Sequence, residues 1–333
     1  MKLPHKKLLW LLLSGLSVSC SAIYEDLDPC ESRISFVYDY NMAFANTPPG
    51  TPVGIDLFIF DRDSQFVALR RDYPQDFAET GVHEYSLSIP TGDYHLIAWA
   101  GHEEPFYECP ELEPGVSTMK DLHVRLRRDE DNHLRMDEPL DPLLYGNAVF
   151  SIDSARHSYA TIHMLNNTKS ITFLLQSTTT DSLPEEQYSF RITADNGHMD
   201  YRNELIEDSG VVYHEHFKAG IDQEEDIDVL KAEINTLRLM ADEPSRLQIL
   251  SNPENGSRPD AKPASEEPEC LLDIDLTAYL LMFKSVYYRN ISDQEWLDRS
   301  NTFNIVFFIN PATGIVSALQ IENWRVVLND MGI

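Results

Sequence analysis

The stretch that decides the fold is Ile55-Asp56-Leu57-Phe58-Ile59-Phe60-Asp61-Arg62-Asp63-Ser64-Gln65-Phe66-Val67-Ala68-Leu69. An apolar run rich in β-forming residues is followed by four polar residues and then by a second apolar run. Two such runs on either side of a short polar turn are typical of a β-hairpin. This segment therefore predicts two antiparallel strands, over 55–60 and 65–69.

The same pattern recurs on both sides of this hairpin. Residues 33–38 alternate between polar and apolar, and so do residues 122–126. Between them, the apolar runs 85–89 and 94–100 flank Pro90-Thr91-Gly92-Asp93, which supplies the backbone conformations of a turn. Short strands at this spacing, separated by turn residues, predict an all-β antiparallel sandwich.

A chain of 333 residues suggests two domains at about 150 residues each. We assign residues 33–157 to an N-terminal β-sandwich and residues 158–333 to a C-terminal one. Within the second unit, Ile227, Leu230 and Ile234 recur at helical spacing and predict a short helix over 227–234, followed by a strand over 237–240. The proline-rich residues 251–268 predict a surface loop.

The first thirty residues have the layout of an export signal. Three lysines precede an apolar run from Leu8 to Val18, and Ser17-Val18-Ser19-Cys20 follows. We predict a lipoprotein signal peptide over 1–19, lipid attachment at Cys20 and a lipidated tether over 20–32. The run is shorter than the roughly 20 residues that span a bilayer. Because Ser17 stands where an aliphatic residue is usual, an ordinary signal cut after Ala22 is the alternative.

Charge and cysteine content narrow the function further. The net charge of −29 repels phosphate backbones and anionic headgroups, which disfavours binding to nucleic acid or electrostatic docking on a membrane. With Cys20 assigned to lipid, Cys30, Cys109 and Cys270 are left in an oxidising compartment. We predict a Cys30–Cys109 disulfide because both fall in the first half. Three buried free thiols are the alternative.

Motifs for catalysis are missing from the sequence. It contains no G-x-S-x-G, no H-E-x-x-H, no phosphate-binding G-x-x-x-x-G-K and no C-x-x-C. His214-Glu215-His216 could present two imidazoles on one face of a strand, but a third metal ligand is not visible. We therefore predict no catalytic residues, no metal site and no small-molecule substrate.

Several segments together resemble a known family. They include the region around Cys20 and, beyond it, Tyr24-Glu25-Asp26-Leu27, Pro29-Cys30, Phe36-Val37-Tyr38-Asp39-Tyr40-Asn41-Met42, Leu57-Phe58-Ile59-Phe60-Asp61, Gly92-Asp93-Tyr94-His95-Leu96-Ile97-Ala98-Trp99-Ala100-Gly101 and Leu143-Leu144-Tyr145-Gly146. They resemble the FimB-type fimbrial anchor family of Bacteroidales lipoproteins. The likeness is strong over residues 20–150 and continues more weakly to the C-terminus.

The resemblance implies two tandem transthyretin-like antiparallel β-sandwich domains in an outer-membrane lipoprotein. Such a protein anchors a fimbria at its base and in some members limits fimbrial length. The implied partners are fimbrial stalk subunits, joined by strand exchange, and the outer membrane, reached through the covalent lipid on Cys20; no other cofactor is implied. The alternative is a surface adhesin or glycan-binding lipoprotein of the same fold, which an exposed aromatic patch around Trp99 or Trp296 would favour.

Two features bear on strand exchange. In stalk subunits, the resemblance implies, an arginine-directed protease removes the first strand. No lysine or arginine lies between Arg33 and Arg62, so the first strand is expected to stay attached. At the other end, residues 320–333 are the candidate partner strand. Its apolar side chains are Ile321, Trp324, Val326 and Leu328, and an ordinary last strand of the second sandwich is the alternative.

Overall fold

The computed structural model describes residues 30–50, 54–102, 105–134, 138–221, 228–252, 268–321 and 324–327. The chain is nearly all β in this part, so the predicted fold class is confirmed. Three short α-helices accompany the strands: α1 (Gln75–Thr80), α2 (Leu276–Met282) and α3 (Asp293–Arg299). Single turns of 3-10 helix lie at Met119–Asp121, Glu185–Gln187 and Val286–Tyr288. No helix in the described residues has the length and apolar character needed to cross a membrane.

The first sheet has seven strands. Their spatial order is third, second, fifth, ninth, tenth, first and fourth along the chain. The predicted hairpin of residues 55–69 forms its second and third strands, which pair antiparallel. In chain order the members are β1 (Ser32–Tyr40), β2 (Ile55–Asp61), β3 (Phe66–Asp72), β4 (Val82–Ser86), β5 (Gly92–Ala100), β9 (Leu144–Ile152) and β10 (Ser158–Asn166).

This sheet forms a core from its own strands. Ile34 on β1, Leu57 on β2 and Leu96 on β5 are all buried in one apolar cluster, which Phe77 of α1 also joins. β1 and β2 are separated by three strands in the sheet order. Because strands so far apart bury their side chains together, we infer that the sheet curves over on itself.

The second sandwich packs a six-stranded sheet on a five-stranded one. Phe173 of the six-stranded sheet stacks on Phe190 of the five-stranded sheet, with ring centroids 5.8 Å apart. The six-stranded sheet has the order β15 (Phe217–Ile221), β16 (Val229–Thr236), β11 (Lys169–Ser177), β19 (Thr302–Asn310), β20 (Ile315–Ile321), β21 (Trp324–Val327). The five-stranded sheet has the order β18 (Glu269–Asp275), β17 (Arg246–Ser251), β12 (Tyr188–Ala194), β14 (Val211–His214), β8 (His133–Leu134).

A small third sheet ties the two halves of the chain together. It contains β6 (Tyr107–Glu108) and β7 (His123–Leu126) from the first half and β13 (His198–Asp200) from the second, with β7 in the middle. Val124 of β7 belongs to a core that extends from Trp99 on β5 to Phe173 on β11. One face of the first sheet therefore packs into the core of the second sandwich, while Ile34, Leu57 and Leu96 form a separate cluster.

The structure corrects three expectations. β10 opens at residue 158, where the second unit was predicted to begin, but it pairs in parallel with β1, from Ser32 opposite Ser158 onwards. We therefore place the boundary in the Asn167–Thr168 connection between β10 and β11.

The predicted helix over 227–234 is wrong: residues 229–236 form β16, whose buried residues Leu230, Ala232 and Ile234 lie two apart on one face of a strand. Residues 237–240, predicted as a strand, form no regular element.

Candidate functional site

The first strand lies inside its sheet. β1 pairs with β10 on one side and with β4 on the other. Its alternate residues Ile34, Phe36 and Tyr38 are at most 4% exposed. The alternation read from the sequence therefore corresponds to a strand with one buried face and two paired edges.

The candidate partner strand, unlike β1, lies at the edge of its sheet. Ile321 is the last residue of β20, and Trp324 and Val326 lie in β21, which pairs with β20 alone at the edge of the six-stranded sheet. Leu328 lies outside the described residues. The backbone of β21 thus has one hydrogen-bonding edge without a neighbouring strand among the described residues, the arrangement on which another strand can add.

The predicted Cys30–Cys109 disulfide is not formed. All three thiols are free: Cys30 and Cys270 are exposed and Cys109 is half-buried. Cys30 lines a surface cleft together with Ile152, which pairs with the start of β5, whereas Cys109 lines another cleft together with His102, just past the end of β5. Nine strand residues separate those ends by roughly 25–30 Å, and a disulfide needs Cα atoms within about 7 Å. Burial and the Asp56 carboxylate raise the pKa of Cys109 to about 12, so this thiol stays protonated.

The histidines of the H-E-H segment do not converge. His214 ends β14 and stacks on His133, with His133 Nδ1 2.6 Å from His214 Nε2. His216 lies beyond the strand, with Nε2 3.7 Å from Glu233. The described residues contain no group of three or more side chains arranged to hold a metal ion.

The connection between the two sandwiches is built from buried polar side chains. Asn167 and Asn203 exchange two amide hydrogen bonds, of 2.9 and 3.0 Å. Arg238 donates to both carboxylate oxygens of Asp298 at 2.7 Å, and both side chains are largely buried. A buried polar network of this kind stabilises one relative arrangement of the elements it joins, because removing any member leaves a buried partner unsatisfied.

Lys169, the first residue of β11, lies at the centre of this connection. It is fully buried, and its Nζ lies 3.1 Å from the carbonyl oxygen of Asn166 and 2.9 Å from that of Asp298. Burial lowers the pKa of Lys169 to about 7; the Asp298 carboxylate opposes this shift and Arg238 reinforces it. No local signal in the sequence distinguishes this lysine.

A cleft of about 800 Å³ opens beside this connection, between the first sandwich and the α2–α3 region. Arg299 of α3 closes one side: its guanidinium carbon lies 4.0 Å from the Tyr40 ring centroid and 4.5 Å from that of Phe44. No described residue lining the cleft is acidic, although Asp and Glu make up 55 of the 333 residues of the chain. The lining is instead rich in amides, hydroxyls and rings, among them Asn41, Asn235, Asn304, Thr302 and Tyr288.

The aromatic patch that would indicate an adhesin does not form at the predicted residues. Trp99 is fully buried, with its ring centroid 4.9 Å from that of Tyr145. Trp296 is 8% exposed and packs on Phe303 at the cleft wall. Both tryptophans therefore belong to the core, and the cleft is a site that sequence reasoning did not find.

Comparison with known proteins gives one family match. The sequence profile of the family described as fimbrillin-A associated anchor proteins Mfa1 and Mfa2 matches residues 27–330. A search of curated protein sequences found no match. The match agrees with the resemblance seen in the sequence.

Several solved structures share the fold. A crystal structure of candidate polysaccharide-binding proteins from Bacteroides thetaiotaomicron is 26% identical, with a TM-score of 0.76, and covers 90% of this chain and 99% of its own. A candidate adhesin from the same organism is 25% identical, with a TM-score of 0.75 and coverage of 91% and 100%. The fimbrial anchor protein Mfa2 from Porphyromonas gingivalis is 18% identical, with a TM-score of 0.64 and coverage of 90% and 99%; at this identity the likeness concerns the fold alone.

Proposed function

Since the chain belongs to the family of fimbrillin-A associated anchor proteins, we propose that it is a lipid-tethered outer-membrane protein that anchors a fimbria at its base. The family is one of fimbrial anchors rather than enzymes, and the catalytic motifs sought in the sequence are missing. The observation that carries the proposal is the position of β1, buried on one face and paired at both edges.

The membrane end of the proposed anchor is Cys20. Only eleven residues, 21–31, separate Cys20 from the start of β1 at Ser32. Such a segment reaches at most about 40 Å when fully extended. Acyl chains contribute about 0.8 kcal/mol per buried CH₂, so more than one chain on Cys20 would hold the first sandwich close to the membrane.

The Cys20→Ala variant tests this attachment. If the protein is the lipid-held base, cells carrying the variant release their fimbriae into the medium, and the protein is found with the released fimbriae. A matched Ser19→Ala variant keeps the cysteine and should keep fimbriae on the cells. Fimbriae that stay on the cells carrying Cys20→Ala would show that this protein is not their lipid anchor.

We further propose that fimbrial growth stops at this subunit. If β1 stays covalently attached, it occupies the position between β10 and β4. A strand from another subunit then cannot enter the sheet at that position. The lack of lysine and arginine between Arg33 and Arg62 supports this, since trypsin-like cleavage after the strand is excluded there. N-terminal sequencing of the protein from purified fimbriae should find Cys20 or a blocked terminus, and a start after an internal arginine contradicts the proposal.

The same argument makes the protein a limit on fimbrial length. A subunit that cannot be extended at its own first strand ends the polymer wherever it is incorporated. Cells that lack the protein should therefore carry or shed longer fimbriae, measured by electron microscopy. An unchanged length distribution would contradict the proposed length control and leave the proposed anchoring untouched.

The stalk is proposed to join by strand exchange at the C-terminal edge. Among the described residues β21 pairs only with β20, and it contains the candidate residues Trp324 and Val326, while Ile321 ends β20. Deleting residues 322–333 removes β21 and leaves β20 whole. If the variant protein folds and reaches the membrane but its cells carry no fimbriae, strand exchange at β21 is supported. If its cells keep their fimbriae, β21 is an ordinary last strand of the second sandwich.

A second candidate function has one specific observation in its favour. The acid-free cleft offers amides and hydroxyls beside aromatic rings, which suits a neutral oligosaccharide. Asn304→Ala, on the exposed face of β19 within the cleft, should weaken binding on a panel of neutral glycans. Asn290→Ala, exposed outside the cleft, should not. Equal binding by both variants, or none by the unaltered protein, argues against a glycan site here.

A further inference from the structure

The side chains of Lys169 and Asn301 meet at the start of two neighbouring parallel strands. β11 and β19 pair in parallel from Ser170 opposite Thr302, and Ser170 N donates to the Asn301 carbonyl oxygen at 2.8 Å. Lys169 and Asn301 are therefore the residues directly before the paired positions. Lys169 Nζ lies 3.5 Å from Asn301 Oδ1, so an amine and a carboxamide are held within contact distance.

The contacts of the lysine leave one direction open for reaction. Nζ faces two backbone carbonyl oxygens, of Asn166 at 3.1 Å and of Asp298 at 2.9 Å. A neutral amine has two hydrogens and one lone pair. The charged form donates its third hydrogen to Asn301 Oδ1 at 3.5 Å; in the neutral form the two shorter contacts keep the two hydrogens, and the lone pair replaces that third hydrogen on the side of the Asn301 carboxamide.

The environment favours that neutral amine. The Lys169 side chain is fully buried, and this burial lowers its pKa to about 7. A substantial fraction of the amine is thus uncharged near neutral pH, and an uncharged amine is the nucleophilic form. A lysine in water, with its pKa near 10.4, has almost none.

We propose that Lys169 and Asn301 form an intramolecular isopeptide bond. The bond forms between Lys169 Nζ and Asn301 Cγ, and the Cγ–Nδ2 bond of the carboxamide breaks. The amide nitrogen leaves as ammonia after taking a proton that the attacking amine gives up, so atoms and charge balance without any oxidant or co-reactant. Asn301 is only half-buried at the wall of the cleft, which gives the ammonia a way out.

Tyr38 is the group placed to pass that proton. Its Oη accepts a hydrogen bond from Asn301 Nδ2 at 2.5 Å, so it touches the nitrogen that leaves. The ring is 4% exposed, and burial raises the pKa of Tyr38, which keeps the phenol protonated and able to donate. Tyr38→Phe should therefore slow bond formation while leaving Lys169 and Asn301 in place.

The position of the bond gives it a mechanical consequence. The chain passes from the first sandwich to the second through Asn167–Thr168, and β11 begins immediately afterwards at Lys169. A bond to Asn301 would lock the start of β11 to the start of β19, so tension arriving from β10 would meet a covalent link instead of a ladder of hydrogen bonds. This inference does not depend on the anchor role.

Peptide mapping of the purified full-length protein tests the bond directly. Trypsin cannot cleave after an acylated lysine, so we expect one branched peptide joining residues 157–191 to residues 300–325, lighter than the two together by one ammonia. Asn301→Ala should yield the separate peptides 157–169 and 170–191, and Asn304→Ala, on the same strand, should keep the branched one. If the unaltered protein yields only the linear peptides 157–169, 170–191 and 300–325, the proposal is wrong, whatever the variants do.

Discussion

The first and the last described strands of this protein are held in different ways. β1 lies between two partners, over nine residues, and buries Ile34, Phe36 and Tyr38. β21 has four residues, and β20 is its one partner in the part of the chain that the structure describes. The first strand is therefore part of what makes its sandwich fold, whereas the last one can leave with less disruption. Under the anchor role proposed above, β1 would be the closed end of the subunit and β21 the end at which another subunit joins.

The largest effect is expected inside β1. Phe36→Ala removes a ring that is 2% exposed and should lower the free energy of unfolding by about 3–5 kcal/mol, through lost burial and the cavity left behind. The neighbouring Ser35→Ala, on the other face of the strand, should change it by less than about 0.5 kcal/mol. Urea unfolding followed by fluorescence measures both. Similar small losses for the two variants would mean that β1 is not part of the core.

A second test addresses the turn that brings β4 alongside β1. Gly81 has a φ of +73°, its carbonyl oxygen accepts from Tyr38 N, and an added Cβ would meet the Thr47 carbonyl oxygen at 2.1 Å. Gly81→Ala should cost more than about 2 kcal/mol, since it adds a clash to the left-handed backbone penalty of about 1–2 kcal/mol.

Gly115 is the matched control for this test. It has the same φ of +73° with nothing within 4 Å of an added Cβ, so Gly115→Ala should show the backbone penalty alone. Equal losses of thermal stability for the two variants would show that close packing around β1 does not matter at Gly81.

The comparison predicts a small effect at the other terminus. Deleting residues 322–333 removes a four-residue strand that, among the described residues, is hydrogen-bonded to β20 alone. The few hydrogen bonds lost are offset by the conformational entropy that the chain no longer loses on folding. The free energy of unfolding should change by about 1 kcal/mol. A loss as large as that of Phe36→Ala would remove the distinction between the two strands.

The smallest effect concerns the third sheet, to which neither terminal strand contributes. His123 on β7 and His198 on β13 lie with Nε2 of His198 3.0 Å from Nδ1 of His123. Burial lowers the pKa of both, reinforced at His123 by Arg125 and at His198 by His123. As the pH falls below 6.5, the histidines of the unfolded chain become protonated before those of the folded protein. The free energy of unfolding should therefore decrease between pH 6.5 and the lowered pKa values of the folded state.

Thermal unfolding at several pH values between neutral and mildly acidic measures this loss. His198→Gln should flatten the dependence, because it removes one of the two titrating groups and the repulsion between them. His95→Gln is a control outside the pair. If the pH dependence of thermal stability is unchanged in His198→Gln, other titratable groups cause it.

Much of the strand content was predictable because it is local. The hairpin over residues 55–69 and the alternation of β1 depend on side chains that lie two apart, and that pattern can be read directly. β16 shows the limit of such reading, since Leu230 and Ile234 fit a helical spacing and a strand spacing equally well. Its position between β11 and β15 in the sheet settles the choice.

Contacts between distant residues could not be read in this way. β1 pairs with a strand more than one hundred residues away, and Lys169 meets Asn301 across 132 positions. Neither pairing leaves a mark in its own neighbourhood, because each depends on how every intervening strand packs. The same holds for the acid-free cleft, whose lining comes from both halves of the chain. Composition and local pattern were enough for an acidic, all-β chain. The closed first strand, the free thiols and the buried lysine follow from packing, which depends on the whole chain at once.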